Sequence, residues 1–415
     1  MLLAAIAIAL FCMFAERSFP LLSQRAASSP ALLLLIASAA GIAAARFGGL
    51  EADAAAVAAL ATTLLSGLAF AAGLQVKLGR LPKACPTSFR LATIGAPIFL
   101  VGAAAAAFAL LPGLSSWSAV ALAAALVLNG AATDRTVFMR APAPNAMKFA
   151  VRTESAATLV LGAPAAIVLA SAAGVPDAGA RPAAALELTI ASVLLGLILG
   201  AFIGAAAAIP ARIAARSGRE RLSRAFAVAG GATAFAAATF SIANPICAAA
   251  AAGLALAHDG RLAAPSRVAL RRIADRGVSP VAFALFGFVL APQILAEADL
   301  LILLFAVFVV GGVRIIAREA ALARAPIDAE SRRFVSWFGG APGAASALFL
   351  LTYVDAGRMS DQEMVLTAGA TAVFAGVLIT RLTSKPIARR YVRALAAARR
   401  RFADPAGATA FGMGR

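Results

Sequence analysis

Residues that bind metals or act as nucleophiles are scarce in this sequence, which has three cysteines and one histidine among 415 residues. Cys12, Cys85 and Cys247 are widely separated, which argues against a disulfide framework or a cysteine-based metal site. The histidine, His258, ends an apolar run and is interpreted as a loop residue. Because no nucleophile–base set, metal-ligand cluster or phosphate-binding loop is visible, the sequence predicts neither an enzyme nor a bound cofactor.

Charged residues are also scarce, at 13% of the chain, whereas 62% of the residues are hydrophobic and the mean hydropathy is +0.90. This composition is typical of a helical membrane protein that crosses the bilayer many times. Apolar runs of about 17–25 residues recur, and each is long enough to cross a hydrocarbon core of roughly 30 Å. They are rich in Ala, Leu and Gly, which favours packed helices over the short alternating strands of a membrane barrel.

The apolar runs predict an all-α fold with about 13 transmembrane helices. The predicted spans are Leu2–Ala15, Pro30–Arg46, Ala54–Val76, Phe89–Leu111, Ser116–Phe138, Ala146–Ala173, Ala183–Ile209, Ser223–Ile242, Pro245–Ala257, Val278–Ala291, Ala298–Ile316, Phe334–Val354 and Met364–Leu382. The first span is short, but it lacks the basic start and the small-residue cleavage site of a signal peptide, so it is predicted to be a helix.

Basic residues outnumber acidic ones, 37 to 19, and give the chain a net charge of +18. No nucleic-acid motif accompanies them, so the sequence predicts no nucleic-acid partner. If the predicted spans all cross, most basic residues between them fall on one side of the membrane. These residues are Lys77, Arg80, Lys83 and Arg90; Arg212, Arg216, Arg219, Arg221 and Arg224; Arg261, Arg267, Arg271, Arg272 and Arg276; and Arg314, Arg318, Arg324, Arg332 and Arg333.

The opposite side holds only Arg46, Arg181 and Arg358 among basic residues, so the positive-inside rule places the N-terminus outside and the C-terminus in the cytoplasm. Short loops and the Ala- and Arg-rich composition favour a bacterial inner membrane. The basic segment Ala388–Phe402 fits either an amphipathic helix on anionic lipid or a solvated charged end.

A polar triplet, Thr133-Asp134-Arg135, lies inside the fifth predicted span, and Glu154 lies near the start of the sixth. A charged side chain at bilayer depth costs roughly 2.5–3.5 kcal/mol on insertion scales, so such residues usually line the path of an ion or a substrate. The sequence therefore predicts a transporter.

Glycine and proline interrupt two of the predicted spans. The fifth contains Asn129-Gly130, and the twelfth contains Gly339-Gly340-Ala341-Pro342-Gly343. Such interruptions in corresponding helices of two halves are typical of broken helices that cross at a binding site, although the glycines could also merely permit close packing. The first interpretation predicts inverted six-helix repeats at residues 1–173 and 223–382, a connecting helix at 183–209 and a basic cytoplasmic tail at 383–415.

Several of these stretches carry the motifs of a known family. The stretches are Phe70 to Leu74 for F-E-G-G-L, Thr133-Asp134 for T-D-P, Glu154-Ser155 with Pro164 for E-S-x-x-N-D and its downstream proline, and Trp337 to Ser346 for W-F-G-P-R-G-x-x-S. In their order and spacing, they resemble the sodium/hydrogen exchanger branch of the monovalent cation:proton antiporters from about Pro30 to Leu382. The resemblance implies a homodimer whose mobile core moves against a dimerisation scaffold.

The ion-binding motif departs from the family pattern at Thr158 and Leu159, which occupy the N-D positions. The carboxylate that the family uses to bind cation and proton alternately is therefore absent. The family arginine of P-R-G falls on Pro342, and the proline of T-D-P has become Arg135.

The arginine Arg135 needs a partner if it is buried, so we expect it to form a core ion pair with Glu154 or with Asp134. On the resemblance, Glu154 would pair with the twelfth-helix arginine that this chain lacks. The hypothesis is that Arg135 takes over the position of that cation.

Asp134 is the candidate for the group that binds a proton or a cation alternately. Burial and a nearby arginine shift the pKa of a carboxyl group in opposite directions, so the group can be tuned for exchange. The hydroxyl groups of Thr133, Ser155 and Thr158 could add cation ligands, although interhelical hydrogen bonding is the alternative role for Ser155 and Thr158. Backbone carbonyls of the broken helix could supply the remaining ligands. That part of the predicted site comprises Gly339, Gly340, Pro342 and Gly343.

The sequence thus favours a secondary transporter that exchanges Na+ or K+ for protons by alternating access, with the lipid bilayer as its surroundings and no metal other than the transported cation. The alternative is a degenerate antiporter homologue that keeps the fold and moves another solute, leaks protons or serves as a regulatory subunit. The leucine at position 159 favours the alternative, whereas Asp134, Glu154 and the helix order favour exchange.

Overall fold

A computed structural model describes residues 30–47, 53–76, 85–128, 145–173, 182–258, 262, 264–325, 327–353 and 361–403. Within these ranges the chain is helical, without a β-strand. The helices are α1 (Pro30–Phe47), α2 (Ala54–Gly73), α3 (Pro86–Leu110), α4 (Ser116–Val127), α5 (Asn145–Ala173), α6 (Pro182–Arg216), α7 (Glu220–Thr239), α8 (Pro245–Ala257), α9 (Ala264–Ile273 continuing through Ala274–Val278 into Ser279–Glu297), α10 (Leu300–Leu322), α11 (Ala329–Phe338), α12 (Ala344–Leu351) and α13 (Gln362–Ala403).

Eight helices in the described ranges are long and apolar enough to cross a membrane, and the shorter apolar helices α4 and α8 lie among them. The prediction of an all-α membrane protein with many spans is therefore confirmed. The first predicted span, Leu2–Ala15, lies outside the described residues. The count of about 13 crossings, the inverted repeats and their boundaries stay predictions.

Small residues let the helices approach closely where no hydrophobic effect between helices is available. The clearest case is the contact of α6 with α8. Gly196, Gly200 and Gly204 recur every four residues along one face of α6, and a Cβ atom on any of them would overlap backbone atoms of α8 or of Asn244, which directly precedes it. The helices therefore pack backbone to backbone, which explains how chains rich in Ala and Gly form a stable bundle.

Short polar side chains at the helix starts satisfy backbone N–H groups that have no partner within the helix. Asp299 begins α10 and accepts a hydrogen bond from the Ile302 N–H at 2.7 Å. Asn244 directly precedes α8, and its side-chain oxygen accepts hydrogen bonds from the Ile246 and Cys247 N–H groups. These residues are thus explained by helix capping.

Several helices extend beyond the predicted spans. The span predicted to end at Ile316 continues to Leu322 as α10, and the span predicted to begin at Val278 is preceded by helix from Ala264. In α10 the cause is a pair of arginines, Arg314 and Arg318, which are only 1% and 4% exposed. Their assignment to a cytoplasmic loop is wrong, because both are buried within the bundle. The number of basic residues that support the predicted orientation is therefore lower by two.

The basic tail continues α13 without interruption to Ala403. At about 1.5 Å per residue, this helix of 42 residues is roughly twice as long as the hydrocarbon core is thick. Ala388 and Tyr391 are buried against Phe334 and Phe338 of α11. This stretch therefore packs on the protein itself, which neither of the two interpretations of the tail anticipates.

Three of the described helices contain one turn of π-helix, in which the hydrogen-bonded residues are five apart instead of four. The turns are Leu91–Gly95 in α3, Ala274–Val278 in α9 and Val309–Val313 in α10. The last of these directly precedes the buried Arg314.

Candidate functional site

The chain leaves the helical conformation between α11, which ends at Phe338, and α12, which begins at Ala344. The intervening residues lie inside the bundle, and Ala341 and Pro342 are buried there. Gly340 has a φ of +71°, a conformation that a residue with a side chain adopts only with strain. The run of glycine and proline thus breaks the helix in the middle of the predicted twelfth span.

The end of α4 meets the start of α12. α4 ends at Val127, and the carbonyl of the following Leu128 accepts a hydrogen bond from the Ser346 hydroxyl of α12. Both Leu128 and Ser346 are fully buried. The second predicted interruption, Asn129-Gly130, lies outside the described residues, which here end at Leu128.

A buried ion pair lies beside the break. Glu154 of α5 is 3% exposed, and both of its carboxylate oxygens accept from Arg318 of α10. Nη2 of Arg318 donates to Oε2 at 2.8 Å, and Nη1 donates to Oε1. Nη2 also donates to the Val335 carbonyl in the last turn of α11 at 3.1 Å. This bidentate pair ties three helices together at one point.

Arg314, one helical turn before Arg318, lies against the same break. Its Nη1 donates to the carbonyls of Trp337 at 3.1 Å and of Gly339 at 3.0 Å. The guanidinium carbon is also 5.9 Å from the centroid of the Trp337 ring. In the part of the chain that the structure describes, the centre of the site therefore holds two guanidinium groups and one carboxylate.

Glycine is required where the ion pair meets the backbone. A Cβ atom at Gly339 would overlap Nη2 of Arg318 and lie 3.0 Å from Oε2 of Glu154. A Cβ atom at Gly340 would lie 2.7 Å from Nη1 of Arg318. The two glycines thus leave the room that the guanidinium occupies, in addition to breaking the helix.

Gly339→Ala is expected to lower the free energy of unfolding by about 1–3 kcal/mol, because the new methyl group must displace the Arg318 guanidinium from a packed site. Unfolding by a denaturing detergent measures the difference. Gly311→Ala is the matched control, since a Cβ atom at Gly311 meets nothing within 4 Å. Equal effects of the two substitutions would show that the space beside Gly339 is not needed.

The predicted cation ligands are only partly seen. Ser155 and Thr158 are buried on α5, at 5% and 6% exposure, and Thr158 follows Glu154 by four residues and so shares its helix face. Thr133 and Asp134 lie outside the described residues. The role of all four as cation ligands stays a prediction.

The predicted partner of Glu154 is Arg135, which also lies outside the described residues, so that pairing is untested. The structure supplies a partner that sequence analysis missed, Arg318. The available signal was the spacing of Arg314 and Arg318, four residues apart between apolar residues, which places both on one face of a helix. The guanidinium that the resemblance expects at Pro342 is thus provided by α10.

The backbone carbonyls of the break were expected to bind the transported cation. That role stays a prediction. Of the predicted set, the Gly339 carbonyl accepts a hydrogen bond from Arg314, as does the neighbouring Trp337 carbonyl. In the described ranges, no group of three or more His, Cys, Asp or Glu side chains is placed to hold a resident metal ion.

Comparison with known proteins gives two concordant results and one negative one. The fold is similar to that of the sodium proton antiporter MjNhaP1 from Methanocaldococcus jannaschii at pH 8, with a TM-score of 0.69 and 16% identity over 96% of this chain and 99% of that one. An electron-microscopy structure of the same antiporter gives a TM-score of 0.62 and 16% identity over 94% and 98% of the two chains.

A search of curated protein sequences finds no match. The model of the family described as sodium/hydrogen exchanger, transmembrane, however, matches residues 6–390. A match over nearly the whole length, together with a bundle of apolar helices, confirms the resemblance and identifies a membrane transporter rather than an enzyme. The chain belongs to the transmembrane sodium/hydrogen exchanger family.

Proposed function

We propose that the protein exchanges a monovalent cation, Na+ or K+, for protons across the membrane by alternating access. The observation that carries the proposal is the match to the exchanger family over residues 6–390. The similarity in fold to MjNhaP1, which is described as a sodium proton antiporter, supports it.

The geometry of the break supports movement of a core as one unit. Arg318 joins α5, α10 and α11 through Glu154 and the Val335 carbonyl, and all of these groups are buried. Separating a buried carboxylate from its guanidinium would leave an uncompensated charge in a medium without water. We infer that α5, α10 and α11 keep their mutual arrangement while the site alternates between the two sides.

Asp134 is the proposed exchange group, with Thr133, Ser155 and Thr158 as additional oxygen ligands. A carboxylate can bind either a proton or a cation, and hydroxyl oxygens suit a hard cation. Glu154 is less suited to this role, because both of its oxygens accept hydrogen bonds from Arg318. The fixed pair is therefore proposed as a structural element and Asp134 as the exchanging one.

The alternative is a homologue that keeps the fold and has lost cation exchange. One specific observation favours it: Leu159, where the family has the exchanging carboxylate, is 4% exposed on α5 and offers no ligand. The two buried guanidinium groups beside a single carboxylate also make the described part of the site unattractive to a cation.

Purified protein in liposomes containing a fluorescent pH indicator separates the two proposals. With a proton gradient imposed, addition of Na+ or K+ is expected to change the internal pH, whereas addition of choline is not. Protein-free liposomes provide the control for passive leakage. A response to neither Na+, K+ nor Li+ between about pH 6 and pH 9 would contradict exchange and favour the alternative.

The proposal places the protein in a bacterial inner membrane as a homodimer, with the N-terminus outside and the C-terminus in the cytoplasm. The exposed arginines at the end of α6 and directly before α7, Arg216 and Arg219, support this orientation. A reporter fused to the C-terminus would report its side, and the mass of the purified protein in detergent would report the oligomeric state.

A further inference from the structure

The π-helical turn of α10 changes the hydrogen bonding of one carbonyl group. In an α-helix the N–H of residue 314 would donate to the carbonyl of residue 310, four positions earlier. In the turn Val309–Val313, the N–H of Arg314 donates instead to the carbonyl of Val309. The Val310 carbonyl is therefore released from the helical pattern just before Arg314.

The side chain of Arg314 uses the released carbonyl. Its Nε donates to the Val310 oxygen at 2.8 Å, while Nη1 reaches the Trp337 and Gly339 carbonyls at the break. The guanidinium is thus held at one end by α10 and at the other by the end of α11. At 1% exposure it is among the most completely buried large side chains described.

The end of α11 needs such a partner. The last carbonyls of a helix have no donor within the helix and carry partial negative charge. At membrane depth no water is available to satisfy them, so a donor must come from the protein. Arginine fits this position because it carries five N–H donors and a permanent positive charge.

We propose that Arg314 and the π-helical turn Val309–Val313 together form a clamp that fixes the break between α11 and α12. Arg314 is a positioning residue that acts through the Trp337 and Gly339 carbonyls, and the turn supplies the carbonyl that anchors it. The consequence of the clamp for cation exchange rests on the proposed function, whereas the clamp itself can be tested without transport.

The glycines of the turn allow a direct test. A Cβ atom at Gly311 would meet nothing within 4 Å, so packing does not require glycine there. Deleting Gly311 removes the extra residue of the π-helical turn. The Arg314 N–H then lies four positions after Val309, and the Val310 carbonyl becomes the α-helical acceptor of the Ile315 N–H, so it is no longer released for the Arg314 side chain. Gly311→Ala keeps the chain length and is the matched control.

A cysteine introduced at Ser336, near the break, serves as the reporter. Ser336, in the last turn of α11, is 1% exposed, and its hydroxyl has no hydrogen-bond partner in the part of the chain that the structure describes. Ser336→Cys therefore removes no described interaction. Ser223→Cys is the matched reporter on α7, because Ser223 is equally buried and its hydroxyl likewise lacks a partner among the described residues. Both reporters require Cys12, Cys85 and Cys247 to be replaced first.

In full-length protein, Arg314→Met and the Gly311 deletion are each expected to raise the rate of maleimide labelling of the Ser336→Cys thiol by about tenfold or more, as expected for the loss of hydrogen bonds from a charged group. Gly311→Ala should leave the rate unchanged, and labelling of the Ser223→Cys thiol should not respond to any of the substitutions. Combining Arg314→Met with the deletion should add little to either alone, because both disrupt one clamp.

Three outcomes would overturn the proposal. The first is a Gly311 deletion that labels at the rate of the parent protein, and the second is a combined variant whose effects are additive. The third applies if the Gly311 deletion unfolds the protein, which is recognised because both reporter thiols then react. In that case the labelling rate of the Arg314→Lys variant is the deciding measurement. This variant keeps the charge but loses the Nε donor to Val310, and a labelling rate equal to that of the parent would show that the anchor is unnecessary. An intermediate rate supports the clamp.

The labelling results do not depend on transport. Protection that is lost in Arg314→Met, in a protein that moves no cation, would support the clamp and contradict the proposed function. Cation exchange by a protein whose Ser336→Cys thiol stays protected in Arg314→Met would support the function and contradict the clamp.

Discussion

Arg318→Met is expected to lower the free energy of unfolding by about 3–5 kcal/mol, because it leaves the buried Glu154 carboxylate without its counter-ion. The side chains of both partners are about 5% exposed, so water cannot replace the lost guanidinium. The loss extends to α11, since Arg318 also donates to the Val335 carbonyl. Unfolding of the purified protein by a denaturing detergent, followed by circular dichroism, measures the effect.

The double variant Arg318→Met with Glu154→Met separates the ion pair from the packing of its side chains. Removing both charges from a buried pair is often neutral or stabilising, so most of the lost stability should return. Arg333→Met is the matched control, because Arg333 pairs with Glu330 at the surface, where their side chains are 65% and 44% exposed. Its effect should stay below about 1 kcal/mol. An effect of Arg318→Met no larger than that of the control would show that the buried pair does not hold the break together.

Asp134→Asn is expected to reduce cation-dependent proton movement in liposomes to the level of protein-free vesicles. An amide is similar in size to a carboxylate but does not take up a proton near neutral pH and has no negative charge to balance a cation. Under the proposed function the buried carboxylate of Glu154 cannot replace it, since both of its oxygens accept hydrogen bonds from Arg318, and position 159 is a leucine. The initial rate of internal pH change after addition of Na+ or K+ is the measurement.

Glu187→Gln provides the control for Asp134→Asn. It removes one negative charge from an exposed position on α6, far along the chain from the break, and should leave the exchange rate unchanged. Exchange that survives Asp134→Asn would refute the assignment of the exchange group while leaving the family membership intact. Comparable protein insertion into liposomes must be verified for each variant, so that rates refer to equal amounts of protein.

The guanidinium beside Glu154 comes from a position other than the one that the resemblance predicts. The resemblance expects an arginine in the broken helix, where this chain has Pro342. The structure brings Arg318 to the same carboxylate from α10, and Gly339 and Gly340 leave the space for it. A buried carboxylate needs a cation within hydrogen-bonding distance, and any helix that passes the site can supply one.

Arg314 binds backbone carbonyl groups at the same break. The end of a broken helix exposes carbonyl groups, and the sequence alone makes them available to a transported ion. In the structure two of these carbonyls accept from Arg314. Under the proposed function, the ligands of a cation then come mainly from the segment that contains Asp134 and from α5, which is why the proposed set is Thr133, Asp134, Ser155 and Thr158.

The sequence by itself determined the class of the protein, the approximate helices and the break at Gly339 to Gly343. These features depend on local properties, namely hydrophobicity over about 20 residues and the backbone preferences of glycine and proline, which can be read along the chain. The same local reading placed Arg314 and Arg318 in a loop, because a charge at the end of an apolar run usually marks the membrane surface.

Only the tertiary structure decided which arginine meets Glu154. The two residues are 164 positions apart, and neither sequence pattern nor spacing encodes that contact. It depends on how α5, α10 and α11 pack and on the space left by two glycines. The distances between helices decide which charges pair in a membrane, because only a partner within hydrogen-bonding distance offsets the desolvation cost of a buried ion.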